Sequence, residues 1–274
     1  TSQLRVETPA EILVFLRERL FELGLKRFLP LGNPDEHLRA LVACFDRARD
    51  EDVRPEDYAA FARRLAEEAG DDPARRDRAE AEEEKARAYA AYQKLLLESG
   101  RVDFGSQISL ALRLLRERAY RLRELQERFR YVLVDEFQDT NHVQFELVKL
   151  LAGARHNLTV VGDDDQSIYR FRGAKVENLL GFLEAFPGAR VLVVRENYRS
   201  GQGILDAAHR LIQGNNPARL EARGYDKRLL ARRQVEAVVE YRAFATASDE
   251  ADFVASAIAA AVGSGERRAQ DFAV

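Results

Sequence analysis

Three short segments concentrate the side chains that can do chemistry. The first is Val132-Leu133-Val134-Asp135-Glu136-Phe137-Gln138-Asp139-Thr140. Here an apolar run ends in two adjacent carboxylates. An Asp in that place can hold Mg²⁺ through oxygen, and the next Glu can polarise water for in-line attack on a phosphate. Taken alone, such a pair can equally be a cap or a surface salt bridge. The second segment is Gly162-Asp163-Asp164-Asp165-Gln166-Ser167-Ile168-Tyr169-Arg170-Phe171-Arg172-Gly173-Ala174. Three consecutive acids repel one another unless a cation, backbone amides or basic neighbours offset the charge. Gln166 can donate a hydrogen bond to a phosphate oxygen. Tyr169 and Phe171 alternate with Arg170 and Arg172, which suits single-stranded nucleic acid: aromatic faces stack on bases and guanidiniums meet phosphates. The plainer alternative is an acidic turn followed by a half-buried aromatic turn. The third segment is Glu196-Asn197-Tyr198-Arg199-Ser200. Its arginine can reach a γ-phosphate across a domain interface or form a structural salt bridge.

These segments need elements that hold them. Each follows a short apolar run rich in β-branched residues: Tyr131 to Val134, Leu158 to Val161, and Val191 to Val194. Val238 to Tyr241 and Phe272 to Val274 read as a fourth and fifth strand. Helical stretches near 142–152, 176–185, 202–213 and 249–262 separate them. Continuous apolar strands alternating with helices predict an α/β fold with parallel sheets covered on both faces. Strand ends in such sheets present side chains to a ligand crevice.

The first hundred residues predict helices. Thr8-Pro9-Ala10-Glu11 is a capping box with proline at the first helical position, opening a helix to about Leu23 that stops at Gly24. Asn33-Pro34 opens a second, with Leu38, Leu41, Val42 and Phe45 on its apolar face. Arg54-Pro55 opens a third. Asp72-Pro73 opens a long fourth to about Glu98, whose charged block from Arg75 to Lys85 reads as a solvated face. Asp103 caps another helix with Ile108, Leu110, Leu112 and Leu115 as core positions. An Arg-rich segment from Arg116 to Arg130 follows, and 215–233 reads as a loop.

Composition narrows the function classes. The 274 residues are 46% apolar and 32% charged, with a net charge of −3. That is a globular chain long enough for two or three domains. No apolar run reaches the roughly 18 residues of a membrane span, and no signal peptide opens the chain. A single cysteine, Cys44, excludes an internal disulfide and a cysteine zinc cluster, and implies a reducing, cytoplasmic setting. His37, His142, His156 and His209 make no metal spacing. The near-neutral balance excludes a histone-like polycation, so nucleic-acid contact falls to local patches. The Arg113 to Arg130 run can touch a DNA backbone but reads first as a solvated helix face; 219–233, with six basic residues against Glu221 and Asp226, is a modest phosphate-contact candidate. The absence of methionine, even at position 1, and the apolar ending Phe272-Ala273-Val274 read as a piece of a longer polypeptide.

In order and spacing, the three chemical segments resemble the signature motifs of superfamily 1 DNA helicases of the UvrD/PcrA/Rep type. Asp135 to Asn141 looks like that family's Walker B motif, Gly162 to Ala174 like its motif III, and Glu196 to Ser200 like its motif IV. The first 125 or so residues look like the family's helical insertion, where Pro30-Leu31-Gly32-Asn33-Pro34 and Val102-Asp103-Phe104 sit at familiar places. The resemblance implies truncated, RecA-like P-loop NTPase sheets behind an N-terminal all-helical subdomain. Its expected divisions are 1–126 for the insertion, 127–188 for the end of the first motor domain and 189–274 for the start of the second. It also implies an ATP- and Mg²⁺-dependent 3′→5′ translocase, monomeric and remote from membranes. Such a motor unwinds duplexes from single-stranded DNA or single/double-strand junctions in repair or replication. By position, Asp135 and Glu136 would face the metal, and Glu136 would activate the attacking water. Gln138 and Gln166 would sense the γ-phosphate and couple it to DNA. Tyr198 would stack on adenine and Arg199 would touch the γ-phosphate, while Tyr169, Phe171 and Arg172 would line the single-strand channel. Two positions depart from the family: Arg170-Phe171 replaces a frequent Gly-Trp, and Gly201 replaces a frequent Thr.

One expected part does not occur. Of the six lysines, none follows a glycine and none precedes Ser or Thr, so the phosphate-cradling G-x-x-x-x-G-K-[ST] loop is missing from these residues. The family's later arginine-containing motif is missing too. The resemblance places the loop upstream of Thr1, and the 274 residues alone are expected to lack ATPase activity. Two other readings remain at this point: a stand-alone single-strand binding module, and a subunit of a recombination helicase–nuclease.

Overall fold

A computed structural model of the chain describes residues 4–29, 32–168, 176–217, 219–235 and 237–274. The chain divides into two units, Thr1–Arg190 and Val191–Val274.

In the first unit, local capping chemistry sets the helix starts. Strand β1 (Arg5–Val6) leads into helix α1 (Pro9–Arg17). The Thr8 hydroxyl accepts the Glu11 N–H at 3.3 Å, and the Glu11 carboxylate accepts the Thr8 N–H at 2.8 Å. The Thr8 amide and hydroxyl hold that carboxyl down at about 2. The helix does not run unbroken to Leu23 as expected. It ends at Arg17, and a 3₁₀ turn over Leu20–Leu23 follows before Gly24 closes it at φ 65°. The tighter turn delivers Leu23 and Leu25 to the core.

Helices α2 (Pro34–Asp50), α3 (Pro55–Glu68) and α4 (Pro73–Glu98) begin where their prolines predict. Leu38, Leu41, Val42 and Phe45 are all buried. Phe45 stacks on Tyr89 of α4 at 5.1 Å between ring centroids and meets Tyr92 at 5.4 Å. The charged block of α4 is mostly solvated, with Glu84 the exception. Its carboxylate is buried and accepts the backbone N–H groups of Lys26 (2.8 Å), Arg27 (3.1 Å) and Phe28 (3.0 Å). Burial works to raise this carboxyl, but the Phe28, Lys26 and Arg27 amides prevail and lower it.

Strand β2 (Arg101–Val102) pairs in parallel with β1, an arrangement the sequence patterning did not suggest. Asp103 then caps α5 (Phe104–Glu117) by accepting the Ser106 N–H at 2.6 Å. Leu112 and Leu115 are buried as expected; Ile108 and Leu110 are only half-buried. Helix α6 (Ala119–Arg128) is Arg-rich and has no buried residue.

Strand β3 (Val132–Val134), helix α7 (His142–Ala152) and strand β4 (Leu158–Val160) follow. The strands pair in parallel, Val132 opposite Leu158 and Val134 opposite Val160. The single helix expected over 176–185 is two pieces, α8 (Val176–Leu180) and α9 (Phe182–Ala185), divided at Gly181. Phe137, Phe145 and Phe186 form a second small core, with Phe182 packed against it.

In the second unit, β5 (Glu196–Asn197) pairs in parallel with β6 (Leu230–Ala231), and helices α10 (Gln202–Ile212) and α11 (Ala247–Gly263) accompany them. Three expectations fail here. Val191 to Val194, Val238 to Tyr241 and Phe272 to Val274 are not strands. A strand exists only through a neighbour's backbone, and none pairs with these runs among the described residues. Val194 is 80% exposed. The stretch read as a loop contains β6 and a 3₁₀ turn at Leu220–Arg223. The result is helix-rich α/β architecture with short, parallel strand pairs. No described helix is long and apolar enough to cross a membrane.

Candidate active site

β3 ends at Val134, and the chain then turns sharply through Asp135 and Glu136. Glu136 sits at φ 50°, ψ 41°, in the left-handed region that only a few non-glycine residues occupy. A short 3₁₀ turn, Phe137–Asp139, follows at once. Two backbone hydrogen bonds tie this turn to the end of β4: Val161 N–H to Val134 O at 2.8 Å, and Phe137 N–H to Val161 O at 2.9 Å. Phe137 anchors the turn in the phenylalanine core, edge-on to Phe145 and Phe182. The acidic pair is thereby fixed at a parallel strand end while both carboxylates remain exposed.

A hydrogen-bonded relay starts at Glu136. The buried Gln138 donates from Nε2 to Glu136 Oε2 at 2.7 Å and accepts the Asp163 N–H on Oε1 at 2.9 Å. Asp163 Oδ2 accepts in turn from Gln166 Nε2 at 2.8 Å. Glu136, Gln138 and Gln166, three of the sequence-derived site residues, are thus joined through Asp163. Gly162 permits the close approach. A Cβ there would stand 3.0 Å from Gln138 Oε1 and 3.3 Å from Leu179 Cδ1.

Asp135 lies beside the relay, its Oδ1 accepting the Glu136 N–H at 3.0 Å. The three consecutive acids receive some of the compensation they require: Asp163 Oδ1 accepts the Asp165 N–H at 3.1 Å. Asp139 is different. Its Oδ1 is buried with no hydrogen-bond partner among the described residues. Burial raises its carboxyl, and the Glu136 charge adds to the rise.

The remaining predicted residues divide in two. Tyr169, Phe171 and Arg172 lie outside the described residues. Tyr198 and Arg199 belong to the second unit, immediately after β5. Tyr198 is 65% exposed and donates its hydroxyl to Glu196 Oε2 at 2.6 Å. Glu196 also pairs with Arg232. Asn197 Oδ1 accepts the N–H groups of Arg199 (3.0 Å) and Ser200 (2.8 Å), setting the turn that leaves Arg199 exposed. Gly201 then has a packing reason. A Cβ at this position would lie 2.6 Å from the Val235 carbonyl oxygen and 2.7 Å from Ala237 Cβ, so a threonine cannot enter without moving that chain.

Sequence reasoning missed Asp163 as the joining residue, Asp139 as the orphaned carboxylate and Asn178. The last donates to Thr140 O at 2.9 Å, pinning the far end of the motif to α8. Three adjacent acids were the available signal for Asp163. No pattern in the sequence marks Asn178.

Residues 11–187 match the family model of the UvrD/REP helicase N-terminal domain. The chain belongs to the UvrD/Rep helicase family. The matched span of this UvrD/Rep member contains the whole relay from Glu136 to Gln166; Tyr198 and Arg199 lie beyond it. The chain is 38% identical to DNA helicase II of Salmonella typhimurium over 195 residues, covering 70% of this chain and 25% of the relative. It is 33% identical to the ATP-dependent DNA helicase PcrA of Bacillus subtilis over 259 residues, 94% of this chain and 31% of the relative. It is 46% identical to the ATP-dependent DNA helicase Rep of Escherichia coli over 138 residues, 50% of this chain and 20% of the relative. The chain therefore spans about a third or less of these curated relatives.

Proposed function

We propose that these residues carry the water-activating and coupling part of an ATP-driven 3′→5′ DNA translocase and helicase. The observation that carries this reading is the relay Glu136–Gln138–Asp163–Gln166 at a parallel strand end, in a chain whose relatives are DNA helicases. The donor set fits a hard divalent cation: Asp135 and Glu136 expose carboxylate oxygens at the strand end. Asp135 would hold Mg²⁺ with Glu136 nearby, and the ion would neutralise charge on a nucleoside triphosphate's phosphates. The phosphate cradle itself is not among these residues.

The chain's own groups have separable tasks. Glu136 orients and polarises a water with one carboxylate oxygen while Gln138 fixes the other. Gln166, held by Asp163, lies three residues before Tyr169 in the sequence, with Phe171 and Arg172 just beyond. A rotation at Gln166 is felt at Glu136 through two intervening hydrogen-bonded residues, a short route for coupling nucleotide state to single-stranded DNA. In the second unit, Tyr198 supplies an exposed ring for adenine stacking and Arg199 a guanidinium for a γ-phosphate. We place the RecA-like sheet, the three-part division at 126 and 188, the monomeric state, and the repair or replication setting within the same proposal.

The test uses the chain itself. Steady-state ATP turnover, with and without single-stranded DNA, is expected to stay at background for want of the lysine loop. Turnover abolished by Glu136→Gln would overturn that part. Anisotropy of a labelled oligonucleotide is expected to show salt-sensitive binding that weakens with Phe171→Ala. No binding at low salt would overturn the DNA-facing role.

A further inference from the structure

The helical part of the first unit contains a cavity of about 70 Å³ that none of the helicase motifs lines. That is room for several water-sized groups. Its wall carries five arginines, Arg49, Arg54, Arg101, Arg113 and Arg116, against two acids, Asp52 and Glu56. Ser106 and Ser109 add hydroxyls.

Arg49 distinguishes this cavity from an ordinary basic surface. Its side chain is 1% exposed. A guanidinium carries five N–H donors in a rigid fork and keeps its charge when buried. On Arg49, Nη2 serves Asp103 Oδ2 at 3.0 Å and also pairs with Asp46. The Nε and Nη1 atoms are buried with no hydrogen-bond partner among the described residues. Three N–H directions of a buried cation thus lack an acceptor. The fork cannot simply swing away: Asp103 is itself held by the Tyr92 hydroxyl and the Ser106 amide, and Tyr92 lies beneath the guanidinium at 5.3 Å. Gly105 packs directly against the guanidinium: a Cβ there would fall 2.9 Å from Arg49 Nε.

Three of the other arginines are already matched by carboxylates: Arg101 by Glu7 at 2.6 Å, Arg113 by Glu117 at 2.8 Å and Arg116 by Asp52. Arg54, exposed at the start of α3, has no ion pair among the described residues. The uncommitted donors are therefore those of Arg49 inside and Arg54 outside. They call for an acceptor that is oxygen-rich and negative. We propose that this cavity is a phosphate-binding site built on Arg49, separate from the hydrolytic centre at Glu136. A phosphate oxygen accepting from Nη1 meets the unused donors of this buried cation while Nη2 stays with its two carboxylates. The phosphate can be a free ion or a link in a nucleic-acid backbone.

The experiment titrates inorganic phosphate into the 274-residue chain at constant ionic strength, with chloride making up the balance. Melting temperature and ³¹P linewidth are the readouts. Saturable stabilisation and broadening are expected, with affinity reduced about tenfold by Arg49→Lys, which keeps the charge and removes the Nη1 donors. Arg54→Glu, a surface change that leaves the buried network intact, is expected to weaken binding several-fold and decides the matter if Arg49→Lys does not fold. A non-saturating response, or equal phosphate affinity in both variants and the parent, overturns the proposal. An unlabelled single-stranded oligonucleotide that displaces phosphate assigns the site to backbone phosphate; phosphate binding that survives it assigns the site to the free ion.

Discussion

Gln138 is where most of the site's geometry is decided. Its amide is used from both ends, by Glu136 and by the Asp163 N–H, with no water between. Gln138→Ala removes that amide, takes the acceptor from the Asp163 N–H and frees the glutamate. A loss of about 1–3 kcal/mol in denaturant-derived stability is expected from the two hydrogen bonds lost. Gln138→Glu keeps the size and replaces the donor with a second carboxylate, so it should destabilise more at neutral pH than at acidic pH. Gly201→Ala is the matching prediction in the second unit. Its Cβ would come 2.6 Å from the Val235 carbonyl, and overpacking of about 1–3 kcal/mol is expected by the same assay. Legibility at this scale was uneven. Asp135, Glu136, Gln138 and Gln166 stood out by type and spacing. Asp163 did not, because its role depends on a backbone amide meeting a side chain 25 residues earlier in the chain.

Helix boundaries were the most legible feature at the level of elements, since capping is written within four residues. Thr8, Asp72 and Asp103 each accept the amides that their positions predict. Thr8→Ala is expected to cost about 1 kcal/mol in chemical unfolding, with Glu11 returning toward the ordinary carboxylate range. Strands were the opposite case. Val132 to Val134 and Val191 to Val194 look alike as sequence, yet only the first has a partner, and pairing is a long-range property. Contact between elements also creates a pH dependence. Asp50 at the end of α2 accepts the Asn141 side-chain N–H at 2.6 Å, next to the start of α7. Burial, helped by Asp46, pushes its carboxyl up to about 6. The folded chain thus holds this proton more tightly than the unfolded one. Asp50 is least costly to stability below the ordinary aspartate range, and the cost grows as pH rises to about 6 and then levels. Asp50→Asn removes the titration. Its melting temperature relative to the parent is expected to climb between about pH 4 and about pH 6 and to stay flat above. A difference independent of pH would contradict this assignment.

At the scale of the whole molecule, the two units have unequal cores. The first buries a continuous cluster from Ile12 to Leu96, whereas among the described residues of the second only Leu205 of the apolar ones is buried. Leu192, Val193, Val194, Val238, Val239 and Tyr241 of that second unit are each apolar and exposed. The chain should therefore bind a hydrophobic dye such as ANS in its native state, and Val194→Lys with Val239→Lys should lower that signal without shifting the main unfolding transition. Family membership was readable from the motifs. The distribution of stability was not, because it depends on which apolar faces meet.

Glu136 has one more consequence, and it concerns the choice of residue. Its left-handed backbone is a conformation in which a side chain costs about 1 kcal/mol and glycine costs little. Glu136→Gly relieves that strain and gives up the bond to Gln138, so its melting temperature is expected to stay close to the parent's. Under the role proposed for Glu136, backbone strain and chemistry favour different residues at this position.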